Sequence, residues 1–263
     1  MKIGTYARST EQIEFALQHD PDFLDLRMDL DNTIKFAESK KLLSDADVDI
    51  TLHLPSDPNW NPMDLAKDIV PYIDLGREID AKLVTFHTQL STLFYDDGDI
   101  DTFLQQVPLV CEALQDCGVE IAIETLGLYY TELSLLFDAH PEISLALDIG
   151  HGQIMATRNR ALAHIESFYE KIKMVLVHDN NGQGMIDDIL QLRKQKDVLT
   201  KETREIARKY DTHLPIGTGS IDFGPIFKEL KERNYDSKFL MMCNDHTRFP
   251  EEREKFQNHW LGA

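Results

Sequence analysis

Short apolar runs recur along the chain, each followed by a longer segment with helical spacing. The strand candidates are KIGTYA (2–7), FLDLRM (23–28), DITLHL (49–54), KLVTFHT (82–88), EIAIETL (120–126), SLALDIG (144–150), MVLVHDN (174–180) and KFLMMCN (238–244). They show no clear polar alternation, which is what a parallel sheet covered on both faces produces. Helical periodicity predicts helices over 9–19, 31–46, 62–79, 100–116 and 222–233, with Ser9 and Asp222 as N-caps. Eight strand–helix repeats in this length predict an α/β fold, a single-domain (β/α)8 barrel. A doubly wound sheet is the alternative, but no GxGxxG follows the first strand. One connection breaks the rhythm. Residues 181–209 predict a helical insertion after strand 7, where a short loop would suffice.

Composition narrows the class. Of 263 residues, 42% are hydrophobic and 28% charged, as in an ordinary globular protein, and no apolar run reaches membrane-spanning length. The N-terminal MKIGTYARST has no secretory apolar core. The three cysteines, Cys111, Cys117 and Cys243, have no CxxC spacing, which points to a reducing cytoplasm. Cys111 and Cys117 read as core residues of the fourth helix. A net charge of −19 disfavours a nucleic-acid partner. The insertion reverses that sign locally: seven Lys and Arg face five acids. It reads either as a solvated helical face or as a lid whose Arg193, Lys194 and Lys196 meet an anionic group of the substrate.

The chemistry concentrates at the C-terminal ends of the strands. His53, His87, Glu124, Asp148, His151, His178 and Asp179 all lie there, and Asp211 with His213 follows the insertion. In a barrel those ends converge on one mouth, where buried charges need partners or a metal. His53, His87 and Glu124 could hold one ion, Glu124, Asp148 and His178 a second, and His151, Asp211 and His213 a third. Imidazole and carboxylate without thiolate suit zinc, manganese, iron or cobalt, with zinc and manganese foremost, at one to three ions per chain. In DTHLPIGTG, Asp211 and His213 form a ligand pair and GTG is the turn behind them. Trp60, Phe86, Phe94, Tyr129 and Tyr130 are candidates for pocket lining or plain packing.

LHLP, FHT, IET, LDIGHG, VHDN and DTHLPIGTGSIDF follow one another in that order over essentially the whole chain. This combination resembles the xylose isomerase-like barrel superfamily, which contains sugar isomerases, epimerases and endonuclease IV. The endonuclease branch implies three zinc ions on His53, His87, Glu124, Asp148, His151, His178, Asp211 and His213. The epimerase branch implies one divalent ion on Glu124, Asp148 and His178. Both imply a strand 8 glutamate that this chain lacks: FLMMCND offers Cys243, Asn244 or Asp245 instead. Tagatose-type epimerases carry a Glu and an Arg where this chain has Tyr130 and Gly184.

The resemblance and the charge together imply a divalent-metal-dependent isomerase or epimerase acting on a small sugar or sugar phosphate. An endonuclease IV-like zinc phosphodiesterase is the alternative, and a metal-binding barrel with altered chemistry a second one. The expected catalytic set is Glu124 as base, His151 stabilising the substrate oxygen, and Asp179.

Overall fold

The computed structural model describes residues 1–115, 118–182 and 184–263. Eight parallel strands close on themselves in chain order: β1 (Lys2–Ala7), β2 (Phe23–Arg27), β3 (Asp49–His53), β4 (Leu83–His87), β5 (Glu120–Glu124), β6 (Ser144–Asp148), β7 (Ile172–Val177) and β8 (Lys238–Met241). The (β/α)8 barrel is therefore present, with every expected strand. Between and after them run α1 (Thr10–Leu17), α2 (Phe36–Ala46), α3 (Ile73–Glu78), α4 (Asp97–Gln115), α5 (Tyr130–Ala139), α6 (Ala161–Phe168), α7 (Gly184–Arg193), α8 (Thr200–Tyr210), α9 (Phe223–Glu232) and α10 (Phe249–Gly262). The two expected caps form: Ser9 accepts from the Gln12 amide at 3.2 Å and Asp222 from the Gly224 amide at 3.2 Å.

One helix differs from expectation. The segment 62–79 is broken into a π-helical turn (Leu65–Ile69), a 3-10 turn (Val70–Tyr72) and the short α3. Pro71 lies at the break; it has no amide to donate and its ring crowds the carbonyl four residues back. Cys111 is half-buried against the outer core, while Cys117 lies outside the described residues.

Strand alternation sorts the side chains. Outward positions build a large apolar core under the helices. Inward positions fill the lumen with a smaller cluster that includes Phe23, Leu83, Ala122, Ala146, Met174 and Leu240. Moving up each strand in steps of two converts that apolar floor into the polar mouth. Ala122 leads to Glu124, Ala146 to Asp148, Leu176 to His178, and Leu240 to Met242. Among the described residues no helix is long and apolar enough to cross a membrane.

Candidate metal centre

The ring at the mouth is set by that register. His53, His87, Glu124 and Asp148 end four successive strands and His178 directly follows the fifth, β7; all but His87 are almost fully buried. Glu124 lies at the centre of one half. Its Oε1 is 2.9 Å from His87 Nε2 and its Oε2 is 3.2 Å from His53 Nε2. Asp148 lies at the centre of the other, with Oδ1 3.0 Å from His178 Nε2. The Asp148 carboxylate also accepts the His151 amide at 2.7 Å, closing the turn that swings His151 over the ring. His151 Nδ1 then stands 3.6 Å from Glu124 and 3.5 Å from Asp148.

Asp211 and His213 arrive from beyond the insertion because Asp179 and Leu214 exchange backbone hydrogen bonds of 2.9 and 2.7 Å. His213 Nδ1–H donates to the Met242 carbonyl at 2.9 Å, which turns Nε2 toward the centre, 3.3 Å from the Asp211 carboxylate. Its backbone is held at φ +46°, in the left-handed region that a non-glycine residue adopts only when its surroundings enforce it. The His213 ring stacks on His178 with centroids 3.8 Å apart. A Cβ on Gly150 would overlap the His178 ring, so the glycine of LDIGHG is a packing requirement.

Three overlapping donor groups result, each with its ligand atoms within 4.8 Å of one another. They are His53, His87 and Glu124; Glu124, Asp148 and His151; and His151, His178, Asp211 and His213. The test of fit is hydrogen bonding. Both ring nitrogens of His53, Nδ1 of His151 and His178, Oε2 of Glu124, Oδ2 of Asp148 and Oδ1 of Asp211 are buried without a hydrogen-bond partner. Buried polar atoms are rarely left so, and carboxylate and imidazole donors grouped within 4.8 Å of one another fit a divalent cation.

Electrostatics agree. Burial opposes ionisation of Glu124, but His87 and Arg27 outweigh it and hold the carboxyl well below the usual range. Burial likewise opposes Asp211 and Asp148, and the neighbouring histidines outweigh it in both. Burial disfavours protonation of His151, yet Asp148 and Asp211 raise its pKa to about 10. The mouth carboxylates thus stay ionised, and each is held against a neighbouring positive charge.

Several expected site residues lie elsewhere. Asp179 is fully buried, but its carboxylate accepts the amides of Asn180, Gly217, Gly219 and Ile221 at 2.8–3.1 Å. It holds the GTG loop and points away from the ring. Cys243 and Asp245 join none of the mouth's donor groups. Alternation puts Met242 at the strand 8 position of the ring, and Asp245 caps the turn at Thr247. Arg193, Lys194 and Lys196 are exposed at the outer end of the insertion and line no part of the mouth cavity; Lys196 pairs with Glu202.

The insertion is packed down as a roof. Met185, Ile189 and Ala207 pack with Trp60, Phe94, Tyr95, Leu126 and Ile154 over the β3–β6 loops. Arg204 is buried, donates to the Phe94 carbonyl at 3.0 Å and lies over the Tyr95 ring.

The cavity beneath, about 190 Å³, also contains residues that the strand-end reading passed over. Arg27, the last residue of β2, is buried and lies 3.6 Å from Glu124 and 3.8 Å from the Met242 sulfur. Asp29 pairs with Arg8 at 2.8 Å and Arg27 at 3.5 Å. The signal was present in FLDLRM: an arginine at a strand C-terminus, two residues past a buried aspartate. Asp31, Ser56, Asp57 and Trp60 complete the open side. Trp60 thus lines the cavity and packs on Phe94 beneath it, while Phe86 belongs to the outer core.

Residues 10–259 match the model of the xylose isomerase-like TIM barrel family, and the chain belongs to it. Among solved structures, a D-tagatose 3-epimerase-like protein superposes with a TM-score of 0.72 at 21% identity, covering 99% of this chain and 97% of its own. The D-allulose 3-epimerase of a Methylomonas species in complex with D-allulose gives 0.69 at 13% identity, with 98% and 96% covered. The IOLI protein with a bound zinc atom gives 0.67 at 15%, with 100% and 97% covered. At these identities the likeness speaks to the fold.

Proposed function

We propose that the protein is a divalent-metal-dependent isomerase or epimerase acting on a small neutral sugar. The observation that carries the reading is the cluster of buried carboxylate and imidazole donors at the mouth, several of them unpartnered, of which Glu124, His151 and Asp211 also line one small cavity. Solved structures of the same fold include one with bound D-allulose and one with zinc.

The open side argues for a neutral ligand. Asp29, Asp31 and Asp57 stand there against Arg8 and Arg27, and Arg27 is committed to Asp29 and Glu124. Such a wall accepts hydrogen bonds from hydroxyls and repels a phosphate. Trp60 offers the apolar flank on which a sugar ring can rest. A cavity of this size has room for one small polyol, not for a polynucleotide strand.

The roles follow from position and charge. His151, held between Asp148 and Asp211 at the cavity wall, is placed to support negative charge on a substrate oxygen. Glu124, ionised and on the cavity wall, is the acceptor for a carbon-bound proton. Its depressed pKa makes it a weak base, so the carbon must be acidified. A divalent ion held by the mouth's carboxylates and imidazoles would supply that acidity as a Lewis acid toward the adjacent carbonyl.

A second reading, a metal-dependent hydrolase, is favoured by one observation. Glu124 is gripped by His53, His87 and Arg27 at once, which restricts its movement as a base. One experiment separates them. The zinc- or manganese-loaded protein is incubated with neutral ketopentoses and ketohexoses in D2O, and in parallel with a chromogenic phosphodiester. Deuterium entering the sugar at carbon supports the first reading; phosphodiester turnover without deuterium uptake replaces it with the second.

A further inference from the structure

The opposite, N-terminal face of the barrel carries a donor group that takes no part in the mouth. Cys111, near the end of α4, His140, the C-cap of α5, and Glu142, just before β6, bring Sγ, a ring nitrogen and a carboxylate oxygen within 4.8 Å of one another. The turn that achieves this is short. The Ile143 amide donates to the His140 carbonyl at 3.1 Å, so His140 and Glu142 project to one side, with Nδ1 3.5 Å from Oε1. The three line a cleft of about 800 Å³, together with Glu112, Glu120 and Lys173. Lys173 is engaged by Glu120 at 3.1 Å, so it does not compete for Glu142.

Two chemistries suit a Cys–His–Glu cluster, and the geometry separates them. A nucleophilic cysteine needs a lowered pKa and a base facing its thiol. Here burial, and then Glu142 beside it, push the Cys111 thiol up to about 12. The imidazole is turned to the same carboxylate. A thiol facing an anion is inert as a nucleophile. The same three donors around a cation become a set of thiolate, imidazole and carboxylate, which borderline-soft ions favour.

We propose that Cys111, His140 and Glu142 form a second metal site, separate from the mouth, that takes a zinc-like divalent ion with water from the cleft in its open position. A tetrahedral ion with bonds of about 2.0–2.3 Å keeps its donors within about 4 Å of one another, so small side-chain rotations suffice. On binding, the thiol proton leaves to solvent as the sulfur–metal bond forms. The ion ties α4 to the α5–β6 turn. This site is independent of the reading of the mouth, which contains no thiolate.

Cobalt titration of the full-length protein tests it. A thiolate-to-cobalt charge-transfer band is expected to grow and to saturate at the intensity of one thiolate-bound cobalt per chain, whatever further cobalt the mouth takes up. It is lost in Cys111→Ser and kept in Cys117→Ser and Cys243→Ser. His140→Gln retains the sulfur and weakens cobalt binding by about tenfold or more, since even outer-shell partners cost ~10–100-fold. Absence of the band in the wild type overturns the site, as does its survival in Cys111→Ser. A triple variant, His53→Ala/His178→Ala/Glu124→Ala, keeps the band if the site stands alone; loss of the band there overturns it too, provided far-UV circular dichroism shows the barrel folded.

Discussion

The Asp179 carboxylate lies against Gly219, accepting its amide at 2.9 Å in a space that a Cβ on Gly219 would fill. Three other amides converge on the same two oxygens. An aspartate adjacent in sequence to His178 of the mouth ring therefore serves the loop that follows Asp211 and His213. Asp179→Ala leaves four amides without their acceptor and is expected to destabilise the fold by roughly 3 kcal/mol or more, as charge-assisted hydrogen bonds are worth about 1.5–3 kcal/mol each. Gly219→Ala should act in the same direction by displacing the carboxylate. Denaturant melts measure both; a loss under about 1 kcal/mol in Asp179→Ala would return that residue to the catalytic set.

The donor ring predicts metal content. Purified protein should carry at least one transition ion at the mouth, counted by elemental analysis of the Cys111→Ser variant to leave the N-terminal face aside. Glu124→Ala, which serves two of the three donor groups, should lower that count, and Gly150→Ala should lower it by pushing the His178 ring out of place. A content below half an ion per chain, unchanged in Glu124→Ala, would show the mouth to be a hydrogen-bonded polar rim.

How much of this was legible follows from periodicity. Strands repeat every two residues and their ends mark the mouth, so His53, His87, Glu124, Asp148 and His178 could be found from the apolar runs alone. Direction beyond the strand could not. Asp179 and Cys243 follow mouth-facing positions by one residue, and alternation turns each away. Arg27 carries no metal-type signal, because a guanidinium only donates hydrogen bonds, here beside the same carboxylates that an ion would bind. The break at Pro71 was readable from the residue itself.

Arg27 supplies fixed positive charge beside Glu124 and Asp29. Arg27→Met removes it and leaves buried carboxylates without compensation, which typically costs about 3–5 kcal/mol. A bound ion restores part of that charge. The gain in melting temperature on adding zinc to chelator-treated protein should therefore be larger in Arg27→Met than in the wild type. An equal gain in both would mean that Arg27 and the ion do not share the same carboxylates.

The raised pKa values of His151 and His178 set a pH dependence. Each is raised because, although burial opposes protonation, Asp148 favours it. A raised histidine contributes stability fully present below its ordinary value of 6.5 and lost as pH climbs through its folded value, about 10 for His151. Metal-free protein should therefore lose melting temperature steadily on the alkaline side. Metal binding runs the other way, since the ion must displace the His151 proton, so affinity should rise over the same interval. Calorimetry in buffers of different ionisation enthalpy would detect the released protons; uptake, or no exchange, would contradict a protonated His151.

The insertion offers a direct contrast between charge and packing. Arg193, Lys194 and Lys196 are the conspicuous cations of its sequence, yet they are exposed, and Lys196 is already paired with Glu202. Exposed pairs of this kind contribute at most about 1 kcal/mol. Arg204 is the buried one: its guanidinium reaches the Phe94 carbonyl and covers Tyr95, and Tyr95 in turn donates to the Trp60 carbonyl at 3.2 Å. Removing it unpins α8 from the loops that carry Trp60, and Trp60 lines the cavity. Arg204→Ala is thus expected to cost roughly 2 kcal/mol or more in stability and to weaken sugar binding. The triple change Arg193→Ala/Lys194→Ala/Lys196→Ala should alter both by less than about 0.5 kcal/mol and should not discriminate a sugar phosphate from its neutral counterpart. If the triple variant selectively loses the phosphorylated ligand, the insertion moves in solution far enough to bring its outer end to the mouth, and the neutral-sugar reading falls.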